Sequence, residues 1–321
     1  MRAGVGRAGP AGRRRRPRAR AAAWAGRSAR VALLAAAAAW GWLAPPAVAQ
    51  PVTLDVMTFN IRTASVDDGE NAWPHRRDLV AETIARAAPH ILGLQEVIDE
   101  QIEYLDRMLP DYRWLGVDRG LNGGVGLSEY TPIFYRHREL SPIASGNFWL
   151  TDTPDVPPPP RPAPSRRRFR RPRGRIVTWA RFYHRPSGRE VYAFNTHLTL
   201  RQGPRQYQSA RLIADRVAAL PEGSAVVVTG DFNASAGDTE TWRIATGQGL
   251  RDVWFAADQR HGPPFTSNGF GPPPPHHEVW RIDWILVGGP LVVRAAETVL
   301  HHEDGRYPSD HYPVAARLHW P

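Results

Sequence analysis

Short strand-like runs that stop on a polar side chain recur along this chain, and they constrain its fold more than any other feature. Ala225-Val226-Val227-Val228-Thr229 is apolar and β-branched, which reads as a buried strand. Gly230-Asp231-Phe232-Asn233 follows at once, where the backbone turns and polar groups emerge. Leu54 to Phe59 leads in the same way into Asn60, Ile91 to Leu94 into Gln95-Glu96, and Glu190 to Thr196 into His197. Arg281 to Val287 is a strand carrying Asp283, and Ser309-Asp310-His311 precedes a final strand from Val314. Further strands are predicted over Glu129 to Arg136, Gly146 to Leu150 and Leu291 to Val299, with Ile176 to Tyr183 and Glu190 to Thr196 paired as a hairpin.

Apolar residues at spacings of three and four predict helices over 74–88, 98–108 and 207–220, two of them closed by Pro89 and Pro221, and a shorter helix is expected over 239–245. No repeat of 20 to 50 residues is present. Many strands of mixed pattern with a few helices between them predict one α+β domain.

The net charge of +10 looks like that of a nucleic-acid binder, but it is unevenly placed. Every basic residue other than histidine is arginine. Ten of the 41 lie before residue 31, and residues 1–49 hold no Asp or Glu, so the remainder has 31 arginines against 31 acids. The leader has an arginine-rich start, an apolar stretch from Val31 to Leu43 and Ala47-Val48-Ala49, which together describe a secretory signal peptide. Cleavage is expected after Ala49, giving an exported domain over 50–321, periplasmic or extracellular, with no stable membrane insertion once the leader is removed. The apolar stretch is shorter than the roughly 20 residues a membrane span needs. With no cysteine in the chain, the exported domain has neither disulfides nor thiolate metal ligands.

Residues 154–175 break the strand pattern. Pro157 to Pro160 and the arginines at 161, 166, 167, 168, 170, 171, 173 and 175 cannot pack a core, so the segment reads as a disordered surface loop. Such a loop either attracts polyanions or reflects compositional drift toward Arg, Pro and Ala. Without it, the mature chain carries 23 arginines against 30 acids, which disfavours a groove for long nucleic acid unless the loop supplies the charge.

The strand ends collect Asn60, Glu96, Glu129, His197, Asp231, Asn233, Asp283, Asp310 and His311. Each has an ordinary explanation by itself: an Asp-x-Asn after a strand commonly caps its own turn, and a lone histidine is commonly a satisfied core residue. Together, carboxylates, amides and two histidines at strand boundaries are the set that divalent-metal phosphoester chemistry requires. Hard oxygen donors suit Mg²⁺ or Mn²⁺.

Thr58-Phe59-Asn60, Leu94-Gln95-Glu96, Asn195-Thr196-His197, Gly230-Asp231-Phe232-Asn233, Arg281-Ile282-Asp283-Trp284-Ile285 and Ser309-Asp310-His311 stand in the order seen in the endonuclease/exonuclease/phosphatase superfamily. The chain resembles that family over residues 52–319. The resemblance implies a four-layer α/β/β/α sandwich, with two mostly antiparallel sheets face to face and helices outside. It also implies that Glu96 is the main metal ligand, with Asn60 and Asp310 nearby. Asp231 would activate the attacking water and Asn233 would hold a phosphate oxygen. His311, oriented by Asp283, would stabilise the phosphoryl oxygens, and His197, supported by Glu129, would bind the phosphate from the other side. Two histidine–carboxylate pairs are thus expected. The implied function is an exported Mg²⁺- or Mn²⁺-dependent phosphoester hydrolase acting as a monomer, with nucleic acid among the substrates to be considered. A non-catalytic polyanion-binding module built on the same fold and the arginine loop is the alternative.

Overall fold

The computed structural model describes residues 52–120, 128–158, 174–274 and 280–321. The expected signal peptide at 1–49 and most of the arginine loop, residues 159–173, lie outside them. In chain order the elements are β1 (Thr53–Asn60), α1 (Trp73–Ala87), β2 (Ile91–Gln95), α2 (Asp99–Met108), β3 (Tyr112–Leu115), β4 (Ile133–Arg136), β5 (Leu140–Trp149), β6 (Ile176–His184), β7 (Arg189–His197), α3 (Pro204–Ala218), β8 (Val226–Asp231), α4 (Glu240–Thr246), β9 (Arg251–Asp252), α5 (Val253–Ala256), β10 (Gln259–His261), β11 (Asp283–Gly288), β12 (Val292–Thr298) and β13 (Val314–His319).

They build two sheets. One has seven strands in the order β10-β12-β13-β1-β2-β4-β3, the other six in the order β5-β6-β7-β8-β11-β9. Most pairings are antiparallel, but the short β10 runs parallel to β12, β1 to β2, and β7 to β8; the last two pairs join central strands. The β1–β2 and β7–β8 pairs position the site, because they bring the C-terminal ends of four strands to one edge.

The alternation of side chains along each strand assigns them to layers. Leu54 and Val56 of β1, Ile91 of β2, Val191 and Ala193 of β7, Val227 of β8 and Ile285 and Val287 of β11 fill the seam between the sheets. The residues that alternate with them point outward. Met57, Phe59, Leu92 and Leu94 meet α1 and α2 through Val80, Ile84, Ile102 and Leu105. On the other sheet, Phe194, Val226, Val228, Trp284 and Leu286 meet α3 and α4 through Ala210, Ile213 and Ala245. The result is the expected sandwich with helices on both outer faces. α1 is started by Pro74 in its first turn and stopped by Ala88 in a left-handed conformation ahead of Pro89. Between β1 and α1 the polar segment holds only a short 3₁₀ turn at Gly69–Asn71.

Toward one end, the inter-sheet positions change from apolar to polar. Thr58, Gln95, Asn195 and Thr229 form a buried network: Gln95 Nε2 donates to Thr58 Oγ1 at 3.1 Å and to Asn195 Oδ1 at 2.7 Å, and Thr229 Oγ1 donates to the same Oδ1 at 3.1 Å. Asn195 Nδ2 reaches back across the seam to the carbonyls of Leu94 and Pro132. Gly93 makes the close approach of the sheets feasible, since a Cβ there would collide with Thr229 Oγ1 and the Asn195 amide. One step further along each strand stand Asn60, His197 and Asp231, with Glu96 just past the end of β2.

Candidate active site

Asp231 and Asp283 occupy opposed positions in the β8–β11 ladder, and His197 faces Asp231 from β7 in the parallel ladder. The local sequence explains how the end of β8 is held. Phe232 stacks on Trp284 with ring centroids 4.2 Å apart and planes 12° apart. A Cβ on Gly230 would meet the Thr196 carbonyl at 2.7 Å, so the strand needs glycine there. The chain then turns through Asn233, which has φ 50° and donates its backbone N–H to Asp231 Oδ1 at 2.9 Å. Glu96 and Arg62 have φ of 61° and 55°. Left-handed backbone at three non-glycine residues around one site is a local cost that the surrounding hydrogen bonds sustain.

Glu96 is held by two donors. Asn60 Nδ2 reaches its Oε1 at 3.2 Å, and the Thr63 N–H reaches its Oε2 at 3.2 Å. The same Asn60 Nδ2 donates to Asp231 Oδ2 at 3.0 Å, so one amide bridges the two carboxylates. Asp310 lies in the same group. Ser309 Oγ donates to the Asn60 carbonyl at 2.6 Å, tying the 309–311 turn to the end of β1, and Arg62 Nη1 is 3.7 Å from Asp310 Oδ2. Burial raises the Asp310 carboxyl, and the nearby Glu96 charge adds to that rise.

His311 Nδ1 bonds to Asp283 Oδ2 at 2.8 Å, the one expected histidine–carboxylate pair that the structure brings together. Burial pushes this imidazole down, but Asp283, Asp231 and Asp310 more than offset it and hold it well above its ordinary value. The imidazolium is therefore the resting form at neutral pH. Asp231 behaves in the opposite way: burial and the facing Asp283 raise it to about 7. Asn60 and Asn233 stand where expected, although one Asn233 Nδ2 hydrogen goes to the Leu198 carbonyl at 3.1 Å, leaving the other for a ligand.

The second expected pair is rearranged. Glu129 makes an ion pair with Arg119 at 2.6 Å and approaches Arg175 at 4.0 Å. The carboxylate beside His197 is Asp231, with Nε2 to Oδ2 at 3.4 Å, while His197 Nδ1 is buried with no hydrogen-bond partner among the described residues. Burial, Arg175, Arg119 and His311 all push His197 well below its ordinary value, so it is neutral. The two histidines of the site are thus one cation and one neutral ring. The physical reason is local charge: Glu129 is taken up by Arg119 and Arg175, and the charges of those two arginines disfavour a proton on His197.

Sequence reading also passed over Arg76. It is fully buried and donates to four backbone carbonyls, those of Ile61 at 2.6 Å, Arg62 at 2.8 Å, Asn71 at 2.8 Å and Pro308 at 2.9 Å. It thereby clamps the loop after β1 against the turn that carries Asp310. An arginine in the first turns of a helix gives no sign of this, because its partners are main-chain oxygens from distant segments.

Asp231, Asp283 and His311 present ligand atoms within 4.8 Å of one another. His311 Nδ1 is already engaged by Asp283, so this trio is suited to proton and charge handling. The hard-oxygen set that fits a divalent ion is Glu96 with Asn60 and Asp310: each Glu96 oxygen accepts one hydrogen bond and keeps a lone pair free. A cavity of about 460 Å³ lies well away from this group, at the far end of β1 beside Asp55, Thr83, Glu297 and Arg317.

This fold, with a metal-suited carboxylate and a histidine–aspartate pair at one end of a two-sheet sandwich, defines a class of hydrolytic phosphoesterases. The Endonuclease/Exonuclease/phosphatase family model matches residues 57–311, and the chain belongs to that family, whose members are metal-dependent. An endonuclease/exonuclease/phosphatase family protein from Bacteroides thetaiotaomicron superposes with a TM-score of 0.73 at 27% identity, over 85% of this chain and 99% of that one. The mannosyl-6-phosphatase of Bacteroides thetaiotaomicron VPI-5482 superposes with a TM-score of 0.70 at 27% identity, over 83% of this chain and 99% of that one. Among sequence relatives, YbhP of Escherichia coli (strain K12) is 30% identical over 151 residues, 45% of this chain and 53% of its own length. The chain thus spans about half the length of this curated relative. Among the described residues, no helix is long and apolar enough to cross a membrane.

Proposed function

We propose that this chain is an exported phosphoester hydrolase dependent on Mg²⁺ or Mn²⁺. The observation that carries the reading is the hydrogen-bonded line Glu96–Asn60–Asp231, closed on its other side by Asp283 and His311. Glu96, with Asn60 and Asp310, would hold the ion. When bound, it would supply Lewis-acid neutralisation of phosphoryl charge. Asp231, raised to about 7, is poised as a general base near neutral pH and would take a proton from the attacking water. Asn60 Nδ2 and the Asn233 N–H aim the carboxylate. His311, charged and oriented through Nδ1 by Asp283, leaves Nε2 to donate to a phosphoryl oxygen as negative charge builds. Neutral His197 and the second Asn233 N–H would fix another phosphoryl oxygen.

Export rests on the leader pattern of residues 1–49. Hydrolysis of a chromogenic phosphodiester by the purified chain in Mg²⁺, abolished by chelator and by Asp231→Ala, tests the activity; binding of polyanions without metal-dependent turnover would identify the polyanion-binding module instead. Sugar phosphates belong in the substrate panel on the strength of the mannosyl-6-phosphatase likeness. Sphingomyelin belongs there because a Mycobacterium bovis sphingomyelinase is 34% identical over 89 residues, 27% of this chain and 17% of that protein.

A further inference from the structure

Arg175 was counted with the arginine loop, but it stands at the mouth of the site. β6 begins at the next residue, and its pairing of Val177 with Thr196 on β7 carries Arg175 to the sheet end where His197 sits. The Arg175 carbonyl accepts from the Leu150 N–H at 2.8 Å, so its backbone belongs to the end of the sheet. Arg119 is brought alongside by a short antiparallel bridge, its N–H donating to the Glu129 carbonyl at 3.1 Å, and its carbonyl accepting from Trp149 Nε1 at 3.1 Å.

The charges in this corner do not balance. Two guanidinium groups share one carboxylate: Glu129 Oε2 is 2.6 Å from Arg119 Nη2 and 4.0 Å from Arg175 Nη1. Arg119 Nε and Arg175 Nη1 are both buried with no hydrogen-bond partner among the described residues, and neighbouring His197 Nδ1 is in the same condition. Burial and the adjacent Arg119 push Arg175 down to about 10, which still leaves it charged at neutral pH. The two guanidinium groups are only partly exposed, and donors shielded from water without a partner are costly, since buried polar atoms are ordinarily satisfied. Donors in excess of acceptors, around a net positive charge, specify an anion as the missing partner. Asp231 and Glu96 lie near enough to act electrostatically on Arg175, yet neither bonds to it. The guanidinium pair is therefore an anion-attracting centre close to the carboxylates that would hold the divalent ion, and both act on the surroundings of His197.

We propose that Arg175, braced with Arg119 on Glu129, forms a second anion subsite beside His197, which receives another phosphate of the substrate next to the phosphate being cleaved. The inference rests on the phosphoester hydrolase reading and narrows it to substrates with two neighbouring phosphates. Arg175 is a binding residue here, and its donors contribute to affinity more than to the chemical step. The second phosphate can come from a small bisphosphate or from the next link of a nucleic-acid strand, because both present the same group to the same donors.

The test uses the full-length protein, and Arg175→Met and Arg175→Lys variants whose folding is verified by circular dichroism and melting. The small probes are p-nitrophenyl 3-hydroxypropyl phosphate and its 3-O-phosphate, assayed in Mg²⁺; tetrathymidylate is the polymer probe. The wild-type chain should prefer the phosphorylated probe, and Arg175→Met should lower kcat/KM for it by about tenfold or more beyond any loss on the unphosphorylated probe, mostly through KM. Arg175→Lys should recover part of the preference. A parallel loss on tetrathymidylate assigns the second phosphate to a strand, and a loss on the bisphosphate alone assigns it to a small molecule. Equal losses on both small probes, or none, would overturn the subsite. If the wild-type chain cleaves no probe, the hydrolase reading fails; calorimetric binding of methylenediphosphonate then decides the subsite, with about tenfold weakening in Arg175→Met supporting it and equal affinity overturning it.

Discussion

Asp283 faces Asp231 directly across the antiparallel ladder of β8 and β11, and both side chains are buried. One carboxylate is used to hold His311, through a 2.8 Å bond to Nδ1, while the other is raised to about 7. In the proposed mechanism the two acids at one rung divide the labour of a general base and an orienting partner, because only Asp283 is hydrogen-bonded to the imidazolium.

The rate should follow that division. In wild type, kcat/KM is expected to rise about tenfold per pH unit up to about pH 7 as Asp231 ionises, and to fall in an alkaline limb as His311 loses its proton. Asp283→Asn removes the largest of the charges that offset burial of the imidazole, so the alkaline limb should move down by about one unit or more, and the maximum should drop by roughly a hundredfold or more. Complete pH profiles of both proteins check this; an unmoved alkaline limb refutes it.

Asp231→Asn should exchange activity for stability. With its pKa raised from 3.8 to about 7, the ionised Asp231 destabilises the fold increasingly as pH rises from about 4 to 7, and the penalty is complete above that. The amide keeps the shape without the charge. Urea unfolding in chelator should show the variant more stable by up to about 4 kcal/mol at pH 8 and little different at pH 4, while turnover is lost.

Glu96→Gln keeps the size and acceptor oxygen but removes the charge that a divalent ion needs. The Mg²⁺ concentration for half-maximal rate should rise by about tenfold to a hundredfold. Mn²⁺ binding followed by electron paramagnetic resonance should weaken in step, and unchanged Mn²⁺ affinity would remove Glu96 from the ligand set.

Arg76→Met leaves the carbonyls of Ile61, Arg62, Asn71 and Pro308 without their buried donor. A loss of about 3 kcal/mol or more in urea unfolding is expected. Because the clamp joins the Asn60 and Asp310 segments, activity at saturating Mg²⁺ should fall even where the protein stays folded.

His184 sets an acid limit on stability. It is buried, stacks on Trp320 with centroids 5.2 Å apart, and is lowered by burial and by His90 to about 4. The unfolded chain binds a proton near pH 6.5 that the folded chain refuses until about pH 4, so stability should fall as pH drops through this window, by up to about 3 kcal/mol from His184. The urea midpoint measured from pH 7 to pH 4 should show the slope, and His184→Phe should flatten it.

Much of the site was legible because strand side chains alternate. Once Leu54, Val56 and Thr58 face the seam, Asn60 must face it too, and the same count places His197 after Val191 and Asp231 after Val227. Helices α1 to α3 followed from apolar spacing. What stayed hidden had no periodic signal: β3 is four residues long, β9 two and β10 three, and pairing rather than pattern makes them strands. Arg175 carried the composition of the loop before it, and nothing local marked it as the start of a sheet edge.

The sequence by itself determined which face of each strand is buried and which polar residue stops it, since both follow from the period of the backbone and the chemistry of adjacent side chains. Only the tertiary structure decided which charges meet. Glu129 belongs to Arg119 and Arg175, His197 to Asp231, and Arg76 to four carbonyls, because Coulomb and hydrogen-bond energies depend on distances set by the packing of the two sheets, for which spacing along the chain offers no measure.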